Sequence, residues 1–209
     1  YNGHMYPSKT FDCEEHRLEH ALRHAKVMDA YYREDNIAGG FAWCMADYNT
    51  HQDFGSGDGI CYHGVLDMFR NPKLASYVYA CNGSEDVLEI SSSMDIGEHQ
   101  SGIPGSIYLF SNADSVRLYK NSEFIKEYPC GKNIIRKKTE YQGLAFPPVE
   151  VDDLIGDTLE KQEEMSHGKA EDIKKILMAV SKYGVNHLPV DIKMRAAKLM
   201  TLYHIKFQD

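Results

Sequence analysis

Polar side chains that can bind hydroxyl groups or a cation are concentrated directly after the only tryptophan of the chain, Trp43. They lie in a loop that reads ADYNTHQDFGSGDGICYHG, residues 46–64, and just beyond it. The candidate groups are Asp47, Asn49, His51, Asp53, Ser56, Asp58, Tyr62, His63 and Asp67. Because connections of this length are more often functional than idle, the sequence predicts a binding site near Trp43.

Neither of two ligand-binding motifs fits this loop. A calcium loop that starts at Asp47 needs glycine at its sixth position, and the chain has Gln52 there. The run GSGDG, residues 55–59, does not lie between a strand and a helix with the spacing of a phosphate-binding fingerprint. No metal site is therefore predicted from the loop.

Three histidines, His16, His20 and His24, recur every four residues and could chelate a metal in pairs. They lack the glutamate of an H-E-x-x-H arrangement, so a solvated or interfacial polar stripe is the favoured interpretation.

The five cysteines contain no C-x-x-C pair, and none has a nearby sequence partner that would make it a nucleophile. We interpret them as reduced thiols of a cytoplasmic protein.

The elements that must position Trp43 follow from the apolar spacing. The segment from Asp12 to Asp35 predicts a long amphipathic helix, with Asp12 and Glu15 as its start signal. The next segment, NIAGGFAWCM, residues 36–45, predicts a strand buried on both faces. A helix with Pro72 at its first helical position and Asn82-Gly83 as its stop follows the polar loop.

Trp43 is thereby predicted at the C-terminal end of a buried strand. In an α/β barrel such strand ends carry the active site, and a flat indole suits the apolar face of a sugar ring. The alternative is an ordinary half-buried tryptophan that covers the end of a core.

The pattern changes twice after Gly83. EDVLEISSS, GSIYLFSN and DSVRLYKNSEFIKEY alternate apolar and polar residues, which predicts antiparallel strands of a small β-sandwich. Helical spacing returns from Asp152 and predicts three helices, the second ending at Tyr183-Gly184 and the third following Pro189. We therefore predict three parts, residues 1–83, 84–150 and 151–209.

Composition indicates a folded protein and limits its partners. The 209 residues are 43% hydrophobic and 26% charged, values close to those of globular domains. A net charge of −8 offers no broad basic surface, so nucleic acid is not an expected partner. No apolar run approaches the length of a membrane span, so no membrane association is expected either.

Three stretches resemble the C-terminal half of glycoside hydrolase family 2, the β-galactosidase group. AGGFAWCMADYN is similar to the last barrel strand of that family, and CYHGVLDMFRNPKLASYVY is similar to the segment leading into the final barrel helix. YLFSNADSVRLYKNSEFI resembles the immunoglobulin-like domain that follows, although Ser122 replaces the usual turn glycine. The resemblance implies a multi-part α+β fold: the last portion of a (β/α)₈ barrel, an immunoglobulin-like β-sandwich, and a small helical module inserted in or appended to it.

The resemblance also implies retaining hydrolysis of terminal β-D-galactosides, with β-glucuronidase or β-mannosidase as the alternative within the family. Trp43 would line the sugar subsite, with Asn2, His4, Asp47, Asn49 and His63 contributing hydrogen bonds. Tyr1 resembles the residue after the nucleophilic glutamate, so we expect that glutamate immediately before Tyr1 and both catalytic carboxylates outside this chain, which would be a fragment. Some members of the family use Mg²⁺ or Na⁺, and no ligand set here specifies either ion.

Two further expectations concern the chain by itself. Exposed edges of the predicted strand around Trp43 would favour self-association or a homo-oligomer. A hypothesis of a different class is a non-catalytic structural or carbohydrate-binding module, in which Tyr108, Phe110 and Tyr119 of the sandwich would face the ligand.

Overall fold

The computed structural model describes residues 6–51, 53, 59–95, 103–131 and 141–203. In chain order the elements are α1 (Glu14–Arg33), β1 (Tyr48–Asn49), β2 (Ile60–Cys61), α2 (Leu74–Ala80), β3 (Leu88–Ile90), β4 (Ile107–Ser111), β5 (Ser115–Lys120), β6 (Glu123–Pro129), β7 (Val149–Val151), α3 (Thr158–Gln162), α4 (His167–Tyr183), a 3₁₀ turn (Val185–His187) and α5 (Val190–Tyr203). The architecture is thus mixed α/β with small sheets, whose strand orders are β1-β2, β3-β4-β7 and β5-β6.

The chain divides into two compact units that each combine distant segments. The first unit contains Tyr1–Ser91, Tyr108–Val116 and Pro129–Val149, and the second contains Ser92–Ile107, Arg117–Tyr128 and Glu150–Asp209. No helix among the residues described is long and apolar enough to cross a bilayer.

The core of the first unit lies where α1 packs against α2. The periodic apolar side chains predicted for the first helix are buried there, and alanines at three of the positions let the helices approach closely. The core residues are Leu18, Ala21, Ala25, Met28, Ala75, Val78, Cys81, Phe110 and Leu144. Strands β3 and β4 pair antiparallel beside this core, with Ile90 opposite Leu109 and Leu88 opposite Ser111.

The first predicted helix is confirmed, but its start differs by about one residue. Cys13, rather than Asp12, is the residue before the first helical position, and it makes no side-chain capping bond. The Asp12 carboxylate instead accepts a hydrogen bond from the backbone N–H of Lys9 at 2.7 Å. The second helix is also confirmed, and Pro72 lies two residues ahead of its first helical residue, Leu74.

The predicted strand at residues 36–45 is wrong. Residues 37–42 form no strand, and their side chains are exposed, Phe41 completely so. A strand buried on both faces needs neighbouring strands that satisfy its backbone groups and cover its side chains. Within the described residues, only positions 44–47 find such backbone partners, in the segment 63–66.

The second unit contains the three helices predicted after Asp152. Helix α4 ends at Tyr183 and is followed by Gly184, whose φ of +72° is a conformation that favours glycine, as the Tyr183-Gly184 stop predicted. Helices α4 and α5 pack on Ala170, Ile176 and Leu199, and the Asp172 carboxylate pairs with the Arg195 guanidinium.

The predicted hairpin turn between β5 and β6 forms without glycine. Asn121 has a φ of +48° and Ser122 a φ of +69°, so both central residues adopt left-handed conformations, as a type I′ turn requires. Asparagine tolerates this conformation better than serine does. An immunoglobulin-like arrangement of these strands stays a prediction.

Candidate functional site

Trp43 belongs to a segment whose backbone is held by a neighbouring segment in the first unit. The N–H of Cys44 donates to the carbonyl of His63 at 3.4 Å, and the N–H of Val65 donates back to the carbonyl of Cys44 at 3.1 Å. The N–H of Leu66 donates to the carbonyl of Met45 at 2.9 Å. The peptide bond between Trp43 and Cys44 is cis. The indole therefore projects from a backbone that is fixed on its C-terminal side.

A buried ion pair lies under this segment. The Lys73 ammonium donates to Oδ1 of Asp47 at 2.7 Å and to the carbonyl of Ser8 at 2.6 Å. The same Asp47 oxygen accepts the backbone N–H of Gly64 at 2.9 Å. Both charged residues are less than a tenth exposed. Because a buried charge is costly unless it is paired and hydrogen-bonded, this network fixes the loop on the start of α2.

Burial disfavours the charged form of both Asp47 and Lys73. Burial raises the pKa of Asp47 above its ordinary value, and the hydrogen bond from Lys73 opposes that rise. Burial likewise lowers the pKa of Lys73, against the attraction of the carboxylate. A carboxylate in this position is a structural anchor rather than a free acid or base.

Gly64 permits the close approach of these segments. A Cβ at this position would lie 2.3 Å from the backbone nitrogen of Asp47 and 2.4 Å from the carbonyl oxygen of Leu66. Both neighbours are backbone atoms, so neither can turn away as a side chain could. A glycine is therefore required where the two segments meet.

Aromatic rings connect Trp43 to the buried part of the site. The Trp43 side chain is half-exposed, and its ring lies edge-on to Tyr48, with centroids 6.4 Å apart. Tyr48 in turn lies edge-on to the buried His63 ring at 6.5 Å. Edge-to-face contacts at such distances stabilise a defined orientation of the rings.

Trp43 borders two concave surfaces of the first unit. One has a volume of about 350 Å³ between α1 and residues 37–43, and its lining includes His24, Tyr31 and Tyr79. The other has a volume of about 420 Å³ and is lined by residues 43–48 and Arg70. Both volumes lie in the range of small-molecule sites, and an aromatic wall with few polar groups is typical of them.

The structure brings together only part of the predicted site. Trp43, Asp47 and His63 lie in the segments just described, although Asp47 is used by Lys73 and is not open to solvent. Asn49 lies exposed in β1, where it pairs with Ile60. The predicted residues Asn2 and His4 lie outside the described residues.

Three residues of this site were missed by the sequence reasoning: Lys73, Tyr48 and Arg70. The signal for Lys73 was present, since a lysine opens the otherwise apolar helix that follows Pro72. Arg70 has a φ of +72° and lies in a turn closed by the Asp67 carboxylate, which accepts the N–H groups of Phe69 and Asn71 at 2.8 Å. Such turn geometry has no reliable pattern in the sequence.

Of the solvated or interfacial polar stripe favoured for the first helix, the solvated form is wrong for two of its members, and the interfacial form agrees with their burial. His20 and His24 are 1% and 3% exposed, and their rings meet edge-on at 4.8 Å. Burial lowers the pKa of His20 to about 3 and that of His24 to about 4, so both are neutral at pH 7. Nδ1 of His24 is 2.9 Å from the Tyr79 hydroxyl, while Nε2 of each ring has no partner in the described structure.

Two competing hypotheses, a metal site near Trp43 and a ligand-binding face on strands β4 and β5, find little support in the described residues. In the described part of the first unit, no three His, Cys, Asp or Glu side chains lie close enough together to hold a metal ion. Phe110 is buried in the core, so it cannot face a ligand as the binding-module hypothesis requires.

The relatives of this chain are glycosidases. The chain is 46% identical over 156 residues to the β-galactosidase of Thermoanaerobacterium thermosulfurigenes, a match that covers 73% of this chain and 21% of that protein. It is 37% identical to the β-galactosidase of Thermoanaerobacter pseudethanolicus, over 72% of this chain and 20% of that protein. The β-galactosidase of Rhizobium meliloti is 31% identical, over 73% of this chain and 20% of that protein.

These matches confirm the resemblance to β-galactosidases that the sequence motifs indicated. The chain spans about a fifth of the length of these relatives. No protein-family model matches the sequence. Among solved structures, the FMN-binding β-glucuronidase from Facaelibacterium prausnitzii L2-6 is similar at 20% identity and a TM-score of 0.48, over 72% of this chain and 21% of that one.

Proposed function

We propose that this chain is part of a retaining glycoside hydrolase that cleaves terminal β-D-galactosides. The observation that carries the proposal is the 46% identity to a β-galactosidase over 73% of the chain. The described elements come in the order of a long helix, the Trp43 segment and a second helix, then strands β3 to β7, then helices α3 to α5. In this proposal the first group belongs to the end of a (β/α)₈ barrel, the strands to an immunoglobulin-like part and the last helices to a helical module. The substrate is accordingly a β-galactoside.

Trp43 forms one wall of the sugar subsite in this proposal. Its indole is half-exposed, borders two concave surfaces and projects from a backbone fixed by residues 63–66. The apolar face of a galactose ring stacks on such a surface, while polar groups of the loop bind its hydroxyls. Among the predicted polar residues, Asn49 is exposed, which supports a role in binding the sugar hydroxyls. The same role stays a prediction for Asn2 and His4.

The two catalytic carboxylates are supplied from outside these residues. Retaining hydrolysis needs two carboxyl groups about 5 Å apart, one to attack the anomeric carbon and one to protonate the leaving oxygen. Two described carboxylates near Trp43 are engaged in structural contacts: Asp47 pairs with Lys73, and Asp67 accepts the hydrogen bonds that close a turn. The residue encoded before Tyr1 in the gene is expected to be glutamate, and any other residue there contradicts this assignment.

Tryptophan fluorescence tests the sugar subsite directly, since Trp43 is the only tryptophan. Titration of the 209-residue chain with methyl β-D-galactoside is expected to change the emission in a saturable way, and methyl β-D-glucuronide and methyl β-D-mannoside are expected to act more weakly. Calorimetry of Trp43→Ala is expected to show at least tenfold weaker galactoside binding. Tyr119→Ala is the matched control, because it removes another half-exposed aromatic ring.

Galactoside binding that survives Trp43→Ala but is lost in Tyr119→Ala overturns the subsite and favours a binding module. Equal responses to the three sugars contradict galactoside selectivity.

Self-association through the Trp43 segment stays a further proposal, supported by the exposure of Phe41, Trp43 and Met45. Light scattering that finds a monomer contradicts it.

A further inference from the structure

Three side chains of the second unit present metal-ligating atoms to one another: Glu160 on α3, and His167 and Glu171 on α4. Their ligand atoms all lie within 4.8 Å of one another. Nδ1 of His167 is 3.1 Å from Oε1 of Glu160. Of the described residues, no others form a group of this kind.

The local sequence explains how these residues meet. His167 and Glu171 are four residues apart on α4, so their side chains share one helical face. Glu160 comes from α3, which is joined to α4 by four residues. The backbone N–H groups of Glu163 and Met165 both donate to the carbonyl of Leu159, at 3.2 and 3.3 Å. This tight turn returns the chain so that Glu160 lies beside the first residue of α4.

One carboxylate oxygen of the cluster is available to bind a cation. Oε2 of Glu160 is inaccessible to solvent and has no hydrogen-bond partner in the described structure, which is unusual for a carboxylate oxygen.

Lys174 does not block the position. Its ammonium is 2.8 Å from Glu171, but it is also 3.1 Å from the Asp153 carboxylate and 2.9 Å from the carbonyl of Gly156. If a metal ion takes an oxygen of Glu171, Lys174 therefore keeps two other acceptors.

We propose that Glu160, His167 and Glu171 form a binding site for a divalent transition metal ion, of which Zn²⁺ is the best fit. One imidazole nitrogen and two carboxylate oxygens are a ligand set that suits Zn²⁺, whereas Mg²⁺ and Na⁺ prefer oxygen ligands alone. Three protein ligands leave the fourth position of a tetrahedral site to water. The site lies in a different compact unit from Trp43, and it stands independently of the proposed glycosidase activity.

Calorimetric titration of the 209-residue chain with Zn²⁺ tests the site, with Co²⁺ absorption as the second readout. One equivalent is expected to bind, and its dissociation constant is expected to rise at least tenfold in His167→Ala and in Glu160→Gln. His187→Ala is the matched control, because it removes another exposed histidine of the same unit, and its affinity is expected to equal that of the unmodified chain. Mg²⁺ is expected to compete weakly.

Three results overturn the proposal. The first is the absence of one-equivalent binding, and the second is equal affinity in His167→Ala and His187→Ala. The third is a thiolate charge-transfer band in the Co²⁺ spectrum, which assigns the ion to cysteines. Far-UV circular dichroism of the metal-free variants excludes misfolding as the cause, and Zn²⁺ is expected to raise the melting temperature of the control but not of His167→Ala.

Discussion

Mild acid is expected to unfold the first unit through two histidines of α1, His20 and His24. Both are neutral and buried when folded, with pKa values lowered to about 3 and about 4, first by burial and then by nearby positive charge, including Lys73. In the unfolded chain each returns to a pKa of about 6.5. Below pH 6.5 the unfolded state therefore binds protons that the folded state does not, so stability falls as the pH falls.

The size of the effect follows from the same values. Between pH 7 and pH 5 the free energy of unfolding is expected to fall by about 2 kcal/mol for each histidine, or about 4 kcal/mol together. Near pH 5 the slope contributed by the pair is about 2.7 kcal/mol per pH unit, twice the value for one proton. A loss of this size is a large share of the about 5–15 kcal/mol that stabilises a typical domain.

Urea unfolding followed by Trp43 fluorescence measures this loss, because the tryptophan and both histidines belong to the first unit. His20→Leu removes one of the two titrating groups and is expected to halve the pH dependence of the free energy of unfolding near pH 5. Because Nε2 of His20 has no hydrogen-bond partner in the described structure, its removal leaves no polar group unsatisfied at that atom. His187→Ala is the control, and it is expected to leave the slope unchanged. The raised pKa of Asp47 acts in the opposite direction but is common to all variants. An unchanged slope in His20→Leu would refute the assignment.

Three substitutions test the packing and turn geometry, each by urea unfolding. Lys73→Met leaves the buried Asp47 carboxylate unpaired and is expected to lower the free energy of unfolding by about 3–5 kcal/mol. Lys126→Met breaks an exposed pair with Asp152 and is expected to lower it by less than about 1 kcal/mol. Similar losses in the two variants would contradict the role of the Lys73–Asp47 pair as a structural anchor. Gly64→Ala forces a Cβ onto backbone atoms and is expected to cost about 1–3 kcal/mol or more, while Gly168→Ala, with open space around it on α4, is expected to stabilise by about 0.5–1 kcal/mol; stabilisation by both would contradict the close approach. Ser122→Gly removes left-handed strain from the hairpin turn and is expected to stabilise by about 1 kcal/mol, as followed by far-UV circular dichroism; no gain would contradict that turn.

Local patterns predicted most of the helices and strands. The helical spacing in residues 14–33 and 167–203 and the alternation in residues 107–129 agree with helices and strands of the structure, because such spacing is a property of each element by itself. The stop at Gly184 was predicted for the same reason, since only the local backbone decides it.

The candidate site was less predictable because it depends on distant partners. Asp47 was predicted as a polar ligand group, but its partner Lys73 is 26 residues away, and no local pattern links the two. His20 and His24 read as a polar stripe, whereas Tyr79 and the core around α1 bury them. Burial of a polar side chain is decided by tertiary packing, which composition and spacing do not reveal.

Gly40, one of the small residues before Trp43, permits close packing against a side chain rather than against a strand. A Cβ at Gly40 would lie 2.2 Å from the ring of Tyr31, so it is an aromatic side chain of α1 that uses the space. The segment is thus in contact with α1 at Gly40 and hydrogen-bonded to residues 63–66 from Cys44 onward. Trp43 lies between these two attachments, which explains how a half-exposed indole keeps a defined position where no regular strand supports it.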